Sequence, residues 1–221
     1  MQIQGGFTGI ACKKGYDVAA NNGFAIVAMS PGNSYFKKER IAELLHYCAC
    51  HFDQVRILIP DKPAQHTYRA MGYSEKRACK KARLNSNALK NHSLASIKNL
   101  LDNVQLIDWE SDVSTKESYK RELESVLTMY EHNMKFKNAV RETTRKVLEH
   151  KLKEGIDLDT AIDEGVYYLL KELAFLSACP QMYEIRNATY VYHDRWKVFE
   201  DFVGGVFDGK IRNKLGFIII N

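Results

Sequence analysis

The stretch Phe24-Ala25-Ile26-Val27-Ala28-Met29 is apolar throughout, preceded by Gly23 and closed by Ser30-Pro31-Gly32-Asn33. A run this short, ended by turn-forming residues, suits a strand covered on both faces better than a helix. Further on, Ile41, Leu44, Leu45, Cys48 and Phe52 recur at the helical period, and Val55-Arg56-Ile57-Leu58-Ile59 reads as a second buried strand stopped by Pro60. Strand, helix and strand within about 40 residues make a βαβ unit, which requires a parallel sheet.

The alternation continues. A basic helical region spans Ser74 to Leu101, and Val104 to Asp108 is a third strand. One or two charged amphipathic helices fill 115–153, and another runs from Leu158 to Ser177. Ala188 to Tyr192 is a strand, Trp196 to Val206 a helix and Gly216 to Ile220 a terminal strand. The expected fold is therefore α/β: a Rossmann-like three-layer sandwich with a mainly parallel central sheet, formed by residues 1–221 as a single domain. In such folds ligands bind beyond the carboxyl ends of the strands, and Ser30 stands at one of those ends.

Charge narrows the class of partner. Between Arg69 and Leu100 lie eight Lys or Arg residues against the single acid Glu75, a local net charge of +7 in a chain whose total is +5. On a helix starting at Ser74, Lys76, Lys80, Arg83, Asn87 and Lys90 share a face flanked by Arg77 and Lys81. A solvated face normally mixes signs; a face of nearly one sign fits an RNA backbone.

Other classes receive no support. No apolar run approaches the ~18 residues that a membrane span needs. The segment Met1 to Lys13 lacks the basic start and apolar stretch of a signal peptide, so a cytoplasmic protein is expected. The five cysteines, Cys12, Cys48, Cys50, Cys79 and Cys179, form no CxxC pair and are expected to be free thiols. The seven histidines are scattered without an HxxxH pair, and no glycine-rich phosphate loop occurs, so neither a metal nor a cofactor is expected.

Candidate chemistry centres on Met29-Ser30-Pro31-Gly32-Asn33-Ser34-Tyr35-Phe36. A serine at a strand-to-helix turn exposes its hydroxyl at the sheet edge. If a helix starts there, its first N–H groups face any negative charge that develops on a substrate. Gly32 permits close backbone approach, and Asn33 can orient a carbonyl or the loop. The competing reading is structural: Ser30 or Asn33 caps the helix, with Pro31 in its first turn. A second constellation is Tyr168 and Glu172, four apart and so on one helix face, among Leu169, Leu173 and Leu176. A carboxylate beside so apolar a surface needs a partner, and an ammonium group would serve.

These features resemble the cyclodipeptide synthases, a family whose fold is like the catalytic domain of class I aminoacyl-tRNA synthetases. The resemblance rests on Ser30-Pro31-Gly32-Asn33-Ser34-Tyr35-Phe36 after a strand, on Tyr168 and Glu172, and on Tyr192 twenty residues beyond Glu172. The basic segment with Gly72-Tyr73-Ser74 and Arg77 to Arg83 is similar to the family's tRNA-binding helix. It implies a tRNA-dependent ping-pong reaction. Ser30 is aminoacylated by a first aminoacyl-tRNA; a second donates its amine to give a dipeptidyl-enzyme; the dipeptide cyclises to a diketopiperazine. In that scheme Glu172 holds the ammonium of the first aminoacyl group, Tyr168 hydrogen-bonds near Ser30 and Tyr192 assists the proton transfer of cyclisation. Lys76, Arg77, Lys80, Lys81, Arg83 and Lys90 are the tRNA contacts. Gly32 and Asn33 are expected to contact the substrate, His193 to contact it or to serve a structural role, and, from their place on the strands, Ile26, Ala28 and residues near Ile57 and Ile59 to wall the pocket. The implied partners are two aminoacyl-tRNAs; with no heptad and no exposed apolar face in the sequence to argue for assembly, a monomer is expected. Departures from the family pattern are His193 after Tyr192, where its two branches carry glutamine or proline, and Ala174, where many relatives have proline.

Two other functions use the same residues. A serine esterase would need Ser30 served by a histidine and an acid, for which His193 and Asp194 are candidates, although the Gly-x-Ser-x-Gly elbow is missing. A non-catalytic RNA-binding protein of synthetase-like fold would need only the basic helix.

Overall fold

The computed structural model describes residues 10–11, 23–98, 102–210 and 214–220. In chain order the elements are β1 (Ile10–Ala11), β2 (Phe24–Ala28), α1 (Lys38–His51), β3 (Gln54–Leu58), α2 (Ala64–Ala70), α3 (Glu75–Ile97) and β4 (Val104–Ile107). A turn of π-helix (Trp109–Ser114) leads to α4 (Glu117–His132), α5 (Met134–Leu148), α6 (Leu158–Met182), β5 (Asn187–Tyr192), α7 (Lys197–Val203) and β6 (Lys214–Ile219).

The sheet has the order β1-β6-β5-β2-β3-β4. Strands β6, β5, β2, β3 and β4 are parallel, and the two-residue β1 pairs antiparallel with β6 at one edge. From β2 the chain builds outward through β3 and β4, then returns to place β5 on the other side of β2. The crossover therefore reverses direction between β2 and β5, the position at which the carboxyl ends of a parallel sheet leave a crevice.

All five residues of β2 are buried, as a central strand of a three-layer fold requires. Their alternation divides the core. Phe24, Ile26 and Ala28 face one layer with α6 residues Leu169, Leu173 and Leu176, whereas Ala25, Val27 and Met29 face the other with Ile41, Leu44 and Cys48 of α1. Helix α6 packs against α2, α4 and α5. At Gly165 an added Cβ would lie 2.9 Å from both Leu148 Cδ1 and Thr144 Cγ2, so the missing side chain lets α5 seat directly on α6.

The sequence places most elements within a few residues, and the differences have local causes. The charged region 115–153 forms two helices. The break is at Asn133, whose Oδ1 accepts from Phe136 N at 3.0 Å while its Nδ2 donates to Phe207 O at 2.7 Å. Helix α2 has no counterpart in the sequence reading, being only seven residues long and set between Pro63 and Gly72. The end of the expected basic helix at Leu101 lies outside the described residues, as does Cys12. Cys48, Cys50, Cys79 and Cys179 are free thiols. No described helix is long and apolar enough to cross a membrane.

The start of α1 overturns one expectation. It begins at Lys38, not directly after Ser30. Gly32 at φ +84° and the Asn33 N to Ser30 O bond of 3.2 Å close a turn instead, and Asn33 Oδ1 accepts from Tyr35 N at 2.9 Å. Neither Ser30 nor Asn33 caps α1, whose N-cap is Lys37, and Pro31 is not in its first turn.

Helix α5 is held from below by Phe136, which is fully buried and whose ring lies 5.7 Å from that of Phe202 and 5.1 Å from that of Phe207. Phe136→Ala is expected to lower the unfolding free energy by about 3–5 kcal/mol, read as a fall in the urea midpoint at unchanged m-value.

Candidate active site

Ser30 follows the end of β2 and Tyr192 is the last residue of β5, so the reversal between these neighbouring strands brings them together. Tyr168 and Glu172 arrive from α6 across the layer. Ser30 Oγ lies 2.8 Å from Tyr192 Oη and 3.1 Å from Tyr168 Oη, and Tyr168 Oη donates to Glu172 Oε1 at 3.4 Å. Four residues scattered over 162 positions thus form one hydrogen-bonded chain: Tyr192, Ser30, Tyr168, Glu172.

The chain lies on the wall of a cavity of about 400 Å³, within the usual range for small-molecule sites. Gly32, Asn33 and His193 line it too. So do residues that the sequence did not single out: Ala64, Thr67, Tyr68 and Met71 from the α2 region, Leu148 and Lys151 from the end of α5, and Tyr190, Trp196 and Phe199. The walls are largely apolar, with a few polar groups converging on Ser30. Tyr68 fixes the Ser30 turn from below by donating to Pro31 O at 3.3 Å, and any Cβ at residue 32 would collide with its hydroxyl.

Burial sets the protonation states. Glu172 is 6% exposed, and desolvation pushes its carboxyl up to about 8, with the Tyr168 hydrogen bond pulling part of the way back. The phenols of Tyr168 and Tyr192 are also raised, first by burial and then by the nearby Glu172 charge. Both therefore remain neutral near pH 7, so they pass protons along hydrogen bonds rather than act as phenolate bases. Asn33 Nδ2 donates to His193 Nε2 at 2.6 Å, which leaves the ring proton on Nδ1. The His193 ring stacks on Tyr35 with centroids 4.8 Å apart, and burial lowers its basicity.

Three expectations about the site need correction. Ile26 and Ala28 are 0% and 1% exposed inside the α6-side core and do not line the cavity. Ile57 and Ile59 belong to the opposite layer with α1. The alternation of a strand, which sequence reading could not orient, sends these side chains away from the crevice. Lys90 is not on the open basic face: its ammonium binds Asp61 at 2.7 Å and Asp108 at 3.4 Å, tying α3 to the ends of β3 and β4. Lys76, Arg77, Lys80, Lys81 and Arg83 are exposed on α3 and make no ion pair among the described residues, while Ala78, Ala82, Ser86, Leu89 and Ser93 form its buried side. No described group of three or more His, Cys, Asp or Glu side chains could hold a metal.

The raised Glu172 carboxyl has a thermodynamic consequence. Its native value near 8 lies above the ordinary 4.5, so the folded state holds this proton more tightly than the unfolded chain. The resulting stability is complete below about pH 4.5 and is lost as pH rises through about 8. Across that window this group lowers the unfolding free energy by up to ~1.4 kcal/mol per pH unit. Glu172→Gln is expected to flatten this part of the profile in urea titrations at pH 5 to 8; an unchanged slope would show that Glu172 is already ionised.

The cyclodipeptide synthase family model matches residues 11–221. A cyclo(L-leucyl-L-leucyl) synthase from Photorhabdus laumondii is 24% identical over 211 residues, covering 89% of this chain and 87% of its own. A Mycobacterium tuberculosis protein, whose structure related cyclodipeptide synthetases to type I tRNA synthetases, superposes with a TM-score of 0.79 at 19% identity, over 100% of this chain and 95% of its own. A cyclodipeptide synthase from Candidatus Glomeribacter gigasporarum, solved bound to Phe-tRNAPhe, superposes with a TM-score of 0.60 at 18% identity, over 90% and 88% of the two chains. With the fold, the Ser30 turn and a family match over nearly its whole length, this chain belongs to the cyclodipeptide synthases.

Proposed function

We propose that this chain, working as a single-domain monomer in the cytoplasm, joins the aminoacyl groups of two aminoacyl-tRNAs into a diketopiperazine through a covalent Ser30 ester. The observation that carries this reading is the hydrogen-bonded chain Tyr192–Ser30–Tyr168–Glu172 at the cavity wall.

Ser30 Oγ attacks the ester carbonyl of the first aminoacyl-tRNA. The C–O bond to the ribose breaks, and the serine proton ends on the departing ribose oxygen. Tyr192 and Tyr168 flank Oγ and relay that proton without becoming phenolates. Glu172 gives up its resting proton to water as it receives the α-ammonium of the bound aminoacyl group. Burial makes the carboxylate so formed a better proton acceptor than an exposed one, so it can take a proton from the ammonium it holds. That transfer delivers what the next bond requires, a neutral amine.

Valence decides the direction of coupling. Were the amine of the second aminoacyl-tRNA to attack the Ser30 ester, the dipeptide would leave on tRNA and no dipeptidyl-enzyme could form. The amine on Ser30 therefore attacks the incoming ester, the second tRNA departs as its 3′ alcohol, and the dipeptide remains on Ser30. Its new terminal amine then attacks the carbonyl attached to Ser30 Oγ, closing the six-membered ring. Tyr192, at 2.8 Å, is placed to return the proton to the serine oxygen. Aminoacyl esters are already activated, so no adenylation step is needed.

Exposed Lys76, Arg77, Lys80, Lys81 and Arg83 are assigned to the tRNA backbone, and Lys90 to holding α3 in place. A serine esterase gains nothing from this geometry: the described partners of Ser30 Oγ are two phenols, and the His193 ring is taken by Asn33.

Expressed in bacteria, the wild-type chain is expected to release a cyclic dipeptide detectable by mass spectrometry of the medium, and Ser30→Ala to abolish it. The same product from both proteins would remove Ser30 from the mechanism. For the basic helix, neutralising about four phosphates should make the logarithm of tRNA affinity fall with that of salt at a slope of roughly −3 to −4, measured by fluorescence anisotropy. A slope near zero would mean that α3 does not grip tRNA.

A further inference from the structure

Two lysines of the loop after α5 lie beside the basic helix, which one of them meets at an aromatic ring. The loop after α5 carries His150, Lys151 and Lys153. It is held against the turn between α2 and α3: Lys153 Nζ donates to Gly72 O at 3.0 Å, and a Cβ on Gly72 would lie 2.8 Å from the Ile156 side chain. Lys153 Nζ from this loop and Lys81 Nζ from α3 both approach the Tyr73 ring, at 3.5 and 4.8 Å from its centroid. Tyr73 thus joins a lysine of α3 to a lysine of the loop.

The loop in turn reaches the reaction cavity. Lys146, His150 and Lys151 line it together with Ser30. Two of these side chains are already engaged, Lys146 with Glu142 at 3.7 Å and His150 with Glu149 at 3.4 Å. Lys151 has no hydrogen-bonded or ion-paired side-chain partner among the described residues, although Glu154 lies three residues away. Its ammonium is partly desolvated, which lowers its basicity, and its charge is felt across the mouth by His193. An exposed lysine on the cavity lining with no side-chain anion beside it is open to an anionic ligand that approaches Ser30 from outside.

Resting on the function proposed above, we infer that Lys151 binds a phosphodiester near the 3′ end of the aminoacyl-tRNA, and that the acceptor strand runs from α3 past Tyr73 and Lys153 to this residue and into the cavity. Lys151 is then a positioning residue. It holds the terminal nucleotides so that the ester carbonyl meets Ser30, and it takes no part in bond making.

The test compares two acyl donors on Lys151→Met and Lys151→Arg: an aminoacyl-tRNA, and the matching 2′(3′)-O-aminoacyl-adenosine, which carries no phosphate. Acylation of Ser30 is followed by intact-protein mass spectrometry. In Lys151→Met the ratio of specificity constants, tRNA over adenosine, is expected to fall on the order of tenfold, mainly through KM, and Lys151→Arg should restore most of it. The salt slope of tRNA binding should become shallower by about one. A ratio unchanged in Lys151→Met, or an equal loss on both donors, overturns the inference while leaving the Ser30 reading intact. Wild-type protein that neither binds tRNA nor becomes acylated by either donor overturns both.

Discussion

Taking a carboxyl group out of water costs several kcal/mol unless something stabilises it, and among the described residues the fold does this to a charged type once, at Glu172. The cost is met at rest by keeping the proton on, which the raised value near 8 expresses. A neutral carboxyl can sit in the apolar interior of α6, accept from Tyr168 and leave the surrounding tyrosines undisturbed. The same environment that tolerates the acid makes its carboxylate a strong attractor of one positive charge. An α-ammonium group is small enough to enter.

Everything around this carboxyl serves to hold α6 where it is. The helix is 25 residues long and buries Ala161, Gly165, Ala174 and Ala178 among larger apolar side chains, so neighbouring helices can approach closely. Gly165 brings α5 down, and with it Leu148 and the Lys151 loop to the cavity rim. On the sheet side, Leu169, Leu173 and Leu176 meet Ile26 and Ala28 of β2. Ile26 and Ala28 thus matter to the site as the bed under α6. They fix its distance from the strand that ends at Ser30, without touching the cavity.

What the sequence made legible follows from the range of each interaction. The strand–turn signature at Ser30 and the shared face of Tyr168 and Glu172 depend on neighbours within a few residues, and both stand as read. The layer that a strand residue faces depends on which helix covers it, so Ile26 and Ala28 were assigned to the wrong place. Lys90 looked like part of the basic face because its partners, Asp61 and Asp108, lie after two different strands and meet it only in the folded sheet. The first turn of a helix at Ser30 was expected from Pro31. Gly32 in the left-handed region and the Asn33 side chain create a tighter turn that defers the helix to Lys38. The loop with Lys151 carries no motif at all. It acquires meaning from its contact with Gly72 and Tyr73, about 80 residues away in the chain.

The choice of phenols around Ser30, on the proposed reading, bears on why the covalent ester would survive long enough to be extended. An imidazole in hydrogen-bond reach of the serine would activate water as readily as it activates the hydroxyl, and the aminoacyl ester would be hydrolysed. Neutral tyrosines, with phenols raised by burial, are poor bases toward water but good conduits for a proton already in transit. The acyl transfers then depend on nucleophiles that need little activation. Here that is an amine deprotonated by a buried carboxylate, held beside the ester by the same contact. Selectivity for amine over water then arises because Glu172, raised to about 8 by burial, sits where the α-ammonium would bind.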